Sequence, residues 1–276
     1  MVDEHVDRIS SLNLLLLQHI MSFLPAQDVV RTCVLSKTWQ NIWCFVPTLV
    51  LDQRLFKNKL QFEKFVSSLL LLQERSSNLQ KFHLYLTGSL SPNVNVNAWI
   101  VSALRRNLKV LDIDIFKDMR LTNDIFTCEH LREFKLSFNI LNLPAKIWLP
   151  ALRSFHLIQV QVQKDQLNES LFEAMPSLEI FILKDCTFEC HDLLRISAHQ
   201  LKTLILEGDF PRSIEISAPS LTFLKLNNTS KKIPEIIRFC CDHIHLTDAY
   251  IRLPIQCLNP TIKMLKNTHT LTVFLS

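Results

Sequence analysis

Glycine is almost missing from this chain of 276 residues: Gly88 and Gly208 are the only two. Phosphate-cradling loops, dinucleotide fingerprints and nucleophile elbows all need glycine where the backbone bends sharply or touches a ligand. None of the three can be built here. Long apolar runs are missing as well. The leucine runs at 14–17 and 69–72 fall far short of the ~18 apolar residues of a membrane span. The acidic, polar N-terminus carries no secretory pattern. Charge of one sign is not concentrated either, with a net charge of +4, a pI near 8.6 and no basic run longer than Lys231-Lys232, so nucleic-acid binding is not indicated. Metal-ligand spacing is confined to Cys186, Cys190 and His191. A single CxxxC without a second Cys or His pair reads as packing. The ten histidines show no Ser/His/Asp order. The expectation is a soluble intracellular chain, in nucleus or cytoplasm, that is no enzyme, holds no cofactor or metal and keeps its eight cysteines as free thiols.

Apolar content is ample, at 48% of the chain. Residues 7–43 show the strongest local pattern. Ile9, Leu12, Leu16, Leu17, Ile20, Phe23 and Leu24 recur at steps of three and four, which predicts an amphipathic helix stopped by Pro25. Val29, Val30, Cys33 and Val34 predict a second helix, with Asp28 favouring its N-terminus. Trp39 and Trp43 stand at i and i+4 and predict a third. So small a bundle rarely stands alone and is expected to lean on a partner or on the rest of the chain.

These residues resemble the F-box of plant F-box proteins. The resemblance rests on Asp7-Arg8-Ile9-Ser10, Leu16-Leu17, Ile20, Ser22-Phe23-Leu24-Pro25, Val34-Leu35-Ser36-Lys37, Trp39, Trp43, Val46-Pro47 and Leu51-Asp52, and covers nearly all of 3–52. Two segments depart from the pattern. Leu12-Asn13-Leu14 stands where the family has Leu-Pro-Asp, and Ser36-Lys37-Thr38-Trp39 where it has Ser-Lys-Arg-Trp. Asn13 can still cap a helix, although it lacks the fixed φ of proline. The resemblance implies docking of a Skp-family adaptor, and through it a cullin, by the face bearing Ile9, Leu12, Leu16, Ile20, Leu24, Val34, Leu35 and Trp39.

A helix is expected over 61–74, from Phe62, Phe65, Val66, Leu69, Leu70 and Leu72. Beyond it the frame L-x-x-[LF]-x-[LI] repeats: Leu79-Phe82-Leu84, Leu108-Leu111-Ile113, Leu131-Phe134-Leu136, Leu152-Phe155-Leu157, Leu178-Phe181-Leu183, Leu201-Leu204-Leu206 and Leu221-Leu224-Leu226. Cys241-Ile244-Leu246 reads as a weaker eighth copy and Thr268-Leu271-Val273 as a ninth. Frame starts lie between 20 and 29 residues apart, the range of leucine-rich repeats, in which each unit contributes one short strand and an irregular or helical return. Pro150, Pro176 and Pro219 precede three of the frames, and Asn139 and Cys186 fall at the repeat's Asn/Cys position. Residues 97–106 read as a return helix. The fold class expected is α/β: a small all-α bundle at 1–52, a linker and capping helix at 53–78, and an irregular solenoid of about eight repeats at 79–276.

With frame leucines inward, the residues between them face outward on the concave sheet. Early units place polar and charged residues there. Later ones place Ile180, Ile182, Ile205 and Phe223 on adjacent strands, and an exposed apolar patch of this kind marks an interface. These four, with Lys135 and Lys225, are the expected target-binding residues. A register slip of one residue would invert the faces.

The combined resemblance is to plant F-box/leucine-rich-repeat proteins of the FBD type, here read as a short form without the further C-terminal domain and ending in a repeat strand. It implies the substrate-recognition subunit of a Skp–cullin–F-box (SCF) ubiquitin ligase, holding an unidentified target protein. The alternative is a repeat scaffold whose F-box no longer binds the adaptor, motivated by Asn13, Leu14 and Thr38. A small-molecule receptor is a third reading, disfavoured by the shallow arc that eight or so repeats make.

Overall fold

The computed structural model describes residues 9, 11–37, 39–73, 79–88, 91–92, 94–115, 119–163, 166–189, 193–229, 236–241, 245–265 and 268–275. It divides into two compact units, Met1–Asp112 and Ile113–Ser276.

In the first unit, helix α1 (Leu14–Met21) begins where Asn13 caps it. The Asn13 side chain accepts a hydrogen bond from the Leu16 N–H at 2.8 Å, satisfying one of the donors that a helix start leaves open. The helix expected from Ile9 therefore starts only at Leu14; Ile9 and Leu12 lie in a turn before it. Nor does Pro25 end it. Ser22 closes α1 by donating its N–H to the Gln18 and His19 carbonyls, and Pro25 instead occupies the N-cap of α2 (Ala26–Arg31). Two 3-10 segments follow, Thr32–Val34 and Trp39–Phe45. Because side chains three apart eclipse in a 3-10 turn, Trp39 pairs with Ile42 in the core, and Trp43 packs only partly against it. That corrects the i, i+4 pairing expected for Trp39 and Trp43.

Leu17, Met21, Val29, Trp39, Ile42 and Val46 form the bundle core. Val46 also has a second role. Strand β1 (Thr48–Asp52) pairs in parallel with β2 (Lys81–Leu86), Leu49 opposite Phe82 and Leu51 opposite Leu84. Val46-Leu49-Leu51 thus has the same spacing as Leu79-Phe82-Leu84, and all six are buried. A repeat frame begins inside the residues that resemble the F-box. The small bundle accordingly shares a side chain with the first repeat, which is how so few residues obtain a sufficient core.

Helix α3 (Lys59–Leu72), capped by Asn58, and α4 (Val96–Leu104), capped by Asn95, form the returns of this unit. They meet through Phe62 and Trp99, edge to face at 6.0 Å. Strand β3 (Val110–Ile115) contains the division between the units.

The second unit runs β4 (Glu133–Ser137), β5 (Ile140–Leu141), β6 (Ser154–Ile158), β7 (Gln161–Val162), α5 (Glu169–Glu173), β8 (Ile180–Phe188), β9 (Leu193–Ser197), β10 (Thr203–Gly208), β11 (Ser213–Ser217), β12 (Phe223–Asn228), β13 (Ile236–Phe239), β14 (Asp248–Leu253), α6 (Ile255–Met264) and β15 (Thr270–Leu275). Strands β4, β6, β8, β10, β12, β14 and β15 form one parallel ladder in that order. Short return strands make further ladders, β5 with β7 and the far half of β8, and β9 with β11 and β13. This is a helical N-terminal region followed by a parallel-strand solenoid, in the α/β class expected.

Every frame residue of the seven complete copies is buried. Phe134, Phe155 and Phe181 stack through the interior at 5.5 and 5.8 Å. One hydrogen-bond device recurs at strand starts: the carbonyl after the leading frame residue accepts two consecutive N–H groups of the next ladder strand. Pro47, Gln80, Arg132, Arg153, Glu179, Lys202 and Thr222 each do this.

Thr222 receives Thr247 and Asp248, and this corrects the eighth frame. The strand is not Cys241-Ile244-Leu246, of which Ile244 lies outside the described residues. It is Leu246-Ala249-Ile251, all buried, with Ala249 opposite Leu224 and Ile251 opposite Leu226. An alanine in a leucine position hid it. The ninth frame is in register, Leu271 opposite Ala249 and Val273 opposite Ile251.

Candidate functional site

Two surfaces bear the residues singled out in the sequence, one in each unit. On the first unit, α1 and the turns around it leave many apolar side chains in water. Ile9, Leu16, Ile20, Val34 and Leu35 are all exposed, Val34 at 83%. Leu12 and Leu24 pack partly against the bundle core. Trp39 does something else: at 4% exposure it lies within that core and supports the surface from beneath. Thr38 lies outside the described residues.

The expected adaptor-binding face leaves out the two most exposed residues of this surface apart from Val34, namely Leu15 at 76%, which is off the periodic stripe, and Phe23 at 74%, which is on it, and also Leu14. A signal was available. Four consecutive leucines at 14–17 span more than one helical face, so they cannot all reach one core. Only Leu17 of the four is buried.

On the second unit, pairing register sets the outward face of the ladder out in rows. One row runs Lys135, His156, Ile182, Ile205, Lys225 and Tyr250 across β4, β6, β8, β10, β12 and β14. A neighbouring row carries Ile180, Thr203, Phe223 and Asp248. Ile180, Ile182, Ile205 and Phe223 are half-buried, as residues alternating with a buried frame should be. The structure brings these four together on three adjacent strands. Lys225 adjoins them, and Lys135 stands two strands from Ile182. Tyr250 was missed because its frame was misread, yet its ring meets Phe223 at 5.6 Å and extends the apolar patch.

A charged cluster borders the patch. Glu207 accepts from Lys225 and lies 3.6 Å from Lys184. The hydrogen bond from Lys225 holds the Glu207 carboxyl below the ordinary carboxylate range, against the opposing effect of burial, and the charges of both lysines add to it. Two strands away on β6, Ser154 and His156 are hydrogen-bonded at 2.8 Å. In the first unit the corresponding face is more polar. His83 and Tyr85 both approach Asp112 at 3.4 Å, and Arg54, bound to Asp52, lies over the Tyr85 ring.

The Asn/Cys positions are structural. Asn139 donates to the Met119 carbonyl and accepts from the Ile140 N–H, while the Cys186 thiol donates to the Leu157 carbonyl of the preceding repeat. Burial pushes the Cys186 thiol up to about 11, leaving it a neutral hydrogen-bond donor. Cys190 and His191 lie outside the described residues. Among the described residues, no helix is long and apolar enough to cross a membrane.

Parallel ladder, buried leucine frame and exposed helical surface define a protein-interaction architecture: an F-box followed by leucine-rich repeats. Comparison with known proteins agrees. Residues 9–50 match the F-box domain family, and residues 96–269 match the family described as the leucine-rich repeats of FBD-associated F-box protein At5g56370. The chain belongs to the plant F-box/leucine-rich-repeat family. Among curated relatives from Arabidopsis thaliana, it is 30% identical to F-box/LRR-repeat protein At3g26922, over 80% of this chain and 75% of that one. It is also 30% identical to F-box/LRR-repeat protein At4g14096, over 83% of this chain and 52% of the relative. With F-box/FBD/LRR-repeat protein At3g51530 it shares 31%, over 80% and 50% respectively. The chain thus spans about half the length of several relatives that it matches. No solved structure matches it.

Proposed function

We propose that this chain is the substrate-recognition subunit of a Skp–cullin–F-box ubiquitin ligase. The observation that carries the reading is the exposed apolar surface of Leu15, Leu16, Ile20, Phe23, Val34 and Leu35, on a segment that belongs to the F-box family. A Skp-family adaptor would cover it, and the cullin would join through the adaptor. Asn13 supports the reading, because its side chain caps α1 and so forms the helix start without the family's proline. The target protein would be held on the concave patch of Ile180, Ile182, Ile205 and Phe223, with Lys225 and Lys135 at its margin.

On this account no bond is made or broken on the chain itself. Its contribution is positional: it raises the effective concentration of a target lysine beside a conjugating enzyme carried by the ligase. Co-purification with a plant Skp-family adaptor tests the first half. The natural chain should yield a one-to-one complex, and the Leu15→Glu, Phe23→Glu chain should not. If the natural chain gave no complex but an Asn13→Pro, Thr38→Arg variant did, the F-box would be a decayed one and the repeats a scaffold. If both bound equally well, the adaptor reading would hold and the two departures would be neutral.

A further inference from the structure

We propose that the groove between α3 and α4 is a docking site for an acidic amphipathic helix of a partner protein, separate from the adaptor and target surfaces. The groove has a volume of about 820 Å³ and lies within the first unit. Its apolar lining includes Leu70 and Leu71 from α3 and Trp99 and Val101 from α4. Leu71 is 80% exposed, and the adjoining Leu72 is also in water. Polar surface helices do not present leucines in this way unless something covers them.

The charge in the groove has one sign. Arg105 and Arg106, just past the C-terminus of α4, both line it, and no carboxylate does among the described residues. Arg105 is exposed. Arg106 is buried, and its guanidinium donates to the Gln73 backbone carbonyl at 3.1 Å and to the Gln73 side-chain oxygen. Both acceptors are neutral. A buried cation with no carboxylate beside it among the described residues is unusual, because burial disfavours charge unless an opposite charge compensates it. Burial accordingly lowers the Arg106 pKa. The Gln73 amide nitrogen is buried beside it with no hydrogen-bond partner among the described residues. This end of the groove therefore has donors in excess.

These features select the occupant. A free anion would satisfy the arginines and leave the leucines bare, and a neutral apolar segment would do the reverse. A third helix laid along two existing ones can present apolar residues to Leu70, Leu71 and Trp99 at i, i+3, i+4 spacing. Its Asp or Glu residues would then reach the exposed Arg105, with the buried Arg106 adding positive charge from beneath.

The test is a display library of random 15-residue peptides selected against the full chain, with the Leu71→Asp chain for counter-selection. Expected winners combine acidic residues with Leu, Ile or Phe at helical spacing. Synthetic copies should bind the natural chain about tenfold tighter than the Leu71→Asp and Arg105→Glu chains, and weaken as salt rises. Both substitutions lie at exposed positions, so thermal melts should match the natural chain. Arg106 is left intact because its removal risks the fold. No enrichment over the counter-selected chain, winners without acidic residues, or equal binding to both variants would each overturn the proposal.

Discussion

Gly208 and Asp185 meet backbone to backbone: a Cβ on residue 208 would stand 2.8 Å from the Asp185 Cα. Gly208 also has a φ of +103°, outside the region that L side chains adopt readily. It closes a column. Phe138, Gln159, Asp185 and Gly208 occupy the same place after successive ladder frames, and all four have positive φ. The left-handed corner turns each strand into its return. At the last of them the backbone approaches its neighbour so closely that only glycine fits. Gly208→Ala should therefore destabilise the protein by about 2–4 kcal/mol, combining a strained φ with a backbone clash. Gly88→Ala, where nothing lies within 4 Å, should stay within about 0.5 kcal/mol of the natural chain. Urea midpoints of the two variants decide it.

Burial separates two classes of F-box substitution. Trp39→Ala removes a fully packed ring and should cost about 3–5 kcal/mol, losing adaptor binding along with the fold. Leu15→Glu, at a position 76% exposed, should leave the melting temperature unchanged and weaken adaptor binding alone. Isothermal titration with the adaptor, beside melts of each variant, distinguishes the two. Equal loss of stability in both would put Leu15 in the core and contradict the structure.

The interior phenylalanine stack couples neighbouring repeats. Phe155 lies between Phe134 and Phe181 at 5.5 and 5.8 Å, so truncating it bares both. Phe155→Ala should cost about 3–5 kcal/mol, and Phe155→Leu distinctly less, since most of the volume is kept. Denaturant titration by circular dichroism is the measurement.

Glu207 links stability to pH. Its pKa is lowered in the folded chain, first by the Lys225 hydrogen bond, from an ordinary value of 4.5. A lowered carboxyl pKa contributes stability that is complete above the unfolded value and lost as pH falls through the folded one. The stability difference between the natural chain and Glu207→Gln should be constant from about pH 7 to 5 and shrink below about pH 4.5. A difference that stayed constant down to pH 2 would remove Glu207 from the account.

Much of the solenoid was legible before folding, because a leucine frame at regular spacing can be buried in only one way. Leu131-Phe134-Leu136 and its counterparts read directly as strands, and the residues between them as the concave face. The failures have physical causes. Ala249 is too small to mark a frame by hydropathy, so β14 was placed early and Tyr250 was lost from the patch. Trp39 and Trp43 were read with helical spacing where the chain folds as a 3-10 turn. Leu15 lies off the periodic stripe, although it is more exposed than most residues on it; Phe23 lies on the stripe, but periodicity does not tell which of its residues stay in water.

Periodicity and composition by themselves determined the class of this protein: which leucines of the seven clear frames are inside, and that glycine-built catalytic loops cannot form. Tertiary structure decided what periodicity cannot encode. It put Val46 in the bundle core and in a repeat frame at once, set Gly208 against Asp185, and left Arg106 buried beside a groove that no carboxylate lines among the described residues. Each of these depends on residues far apart in the chain meeting in space, and a pattern read along one strand or one helix carries no information about what lies across from it.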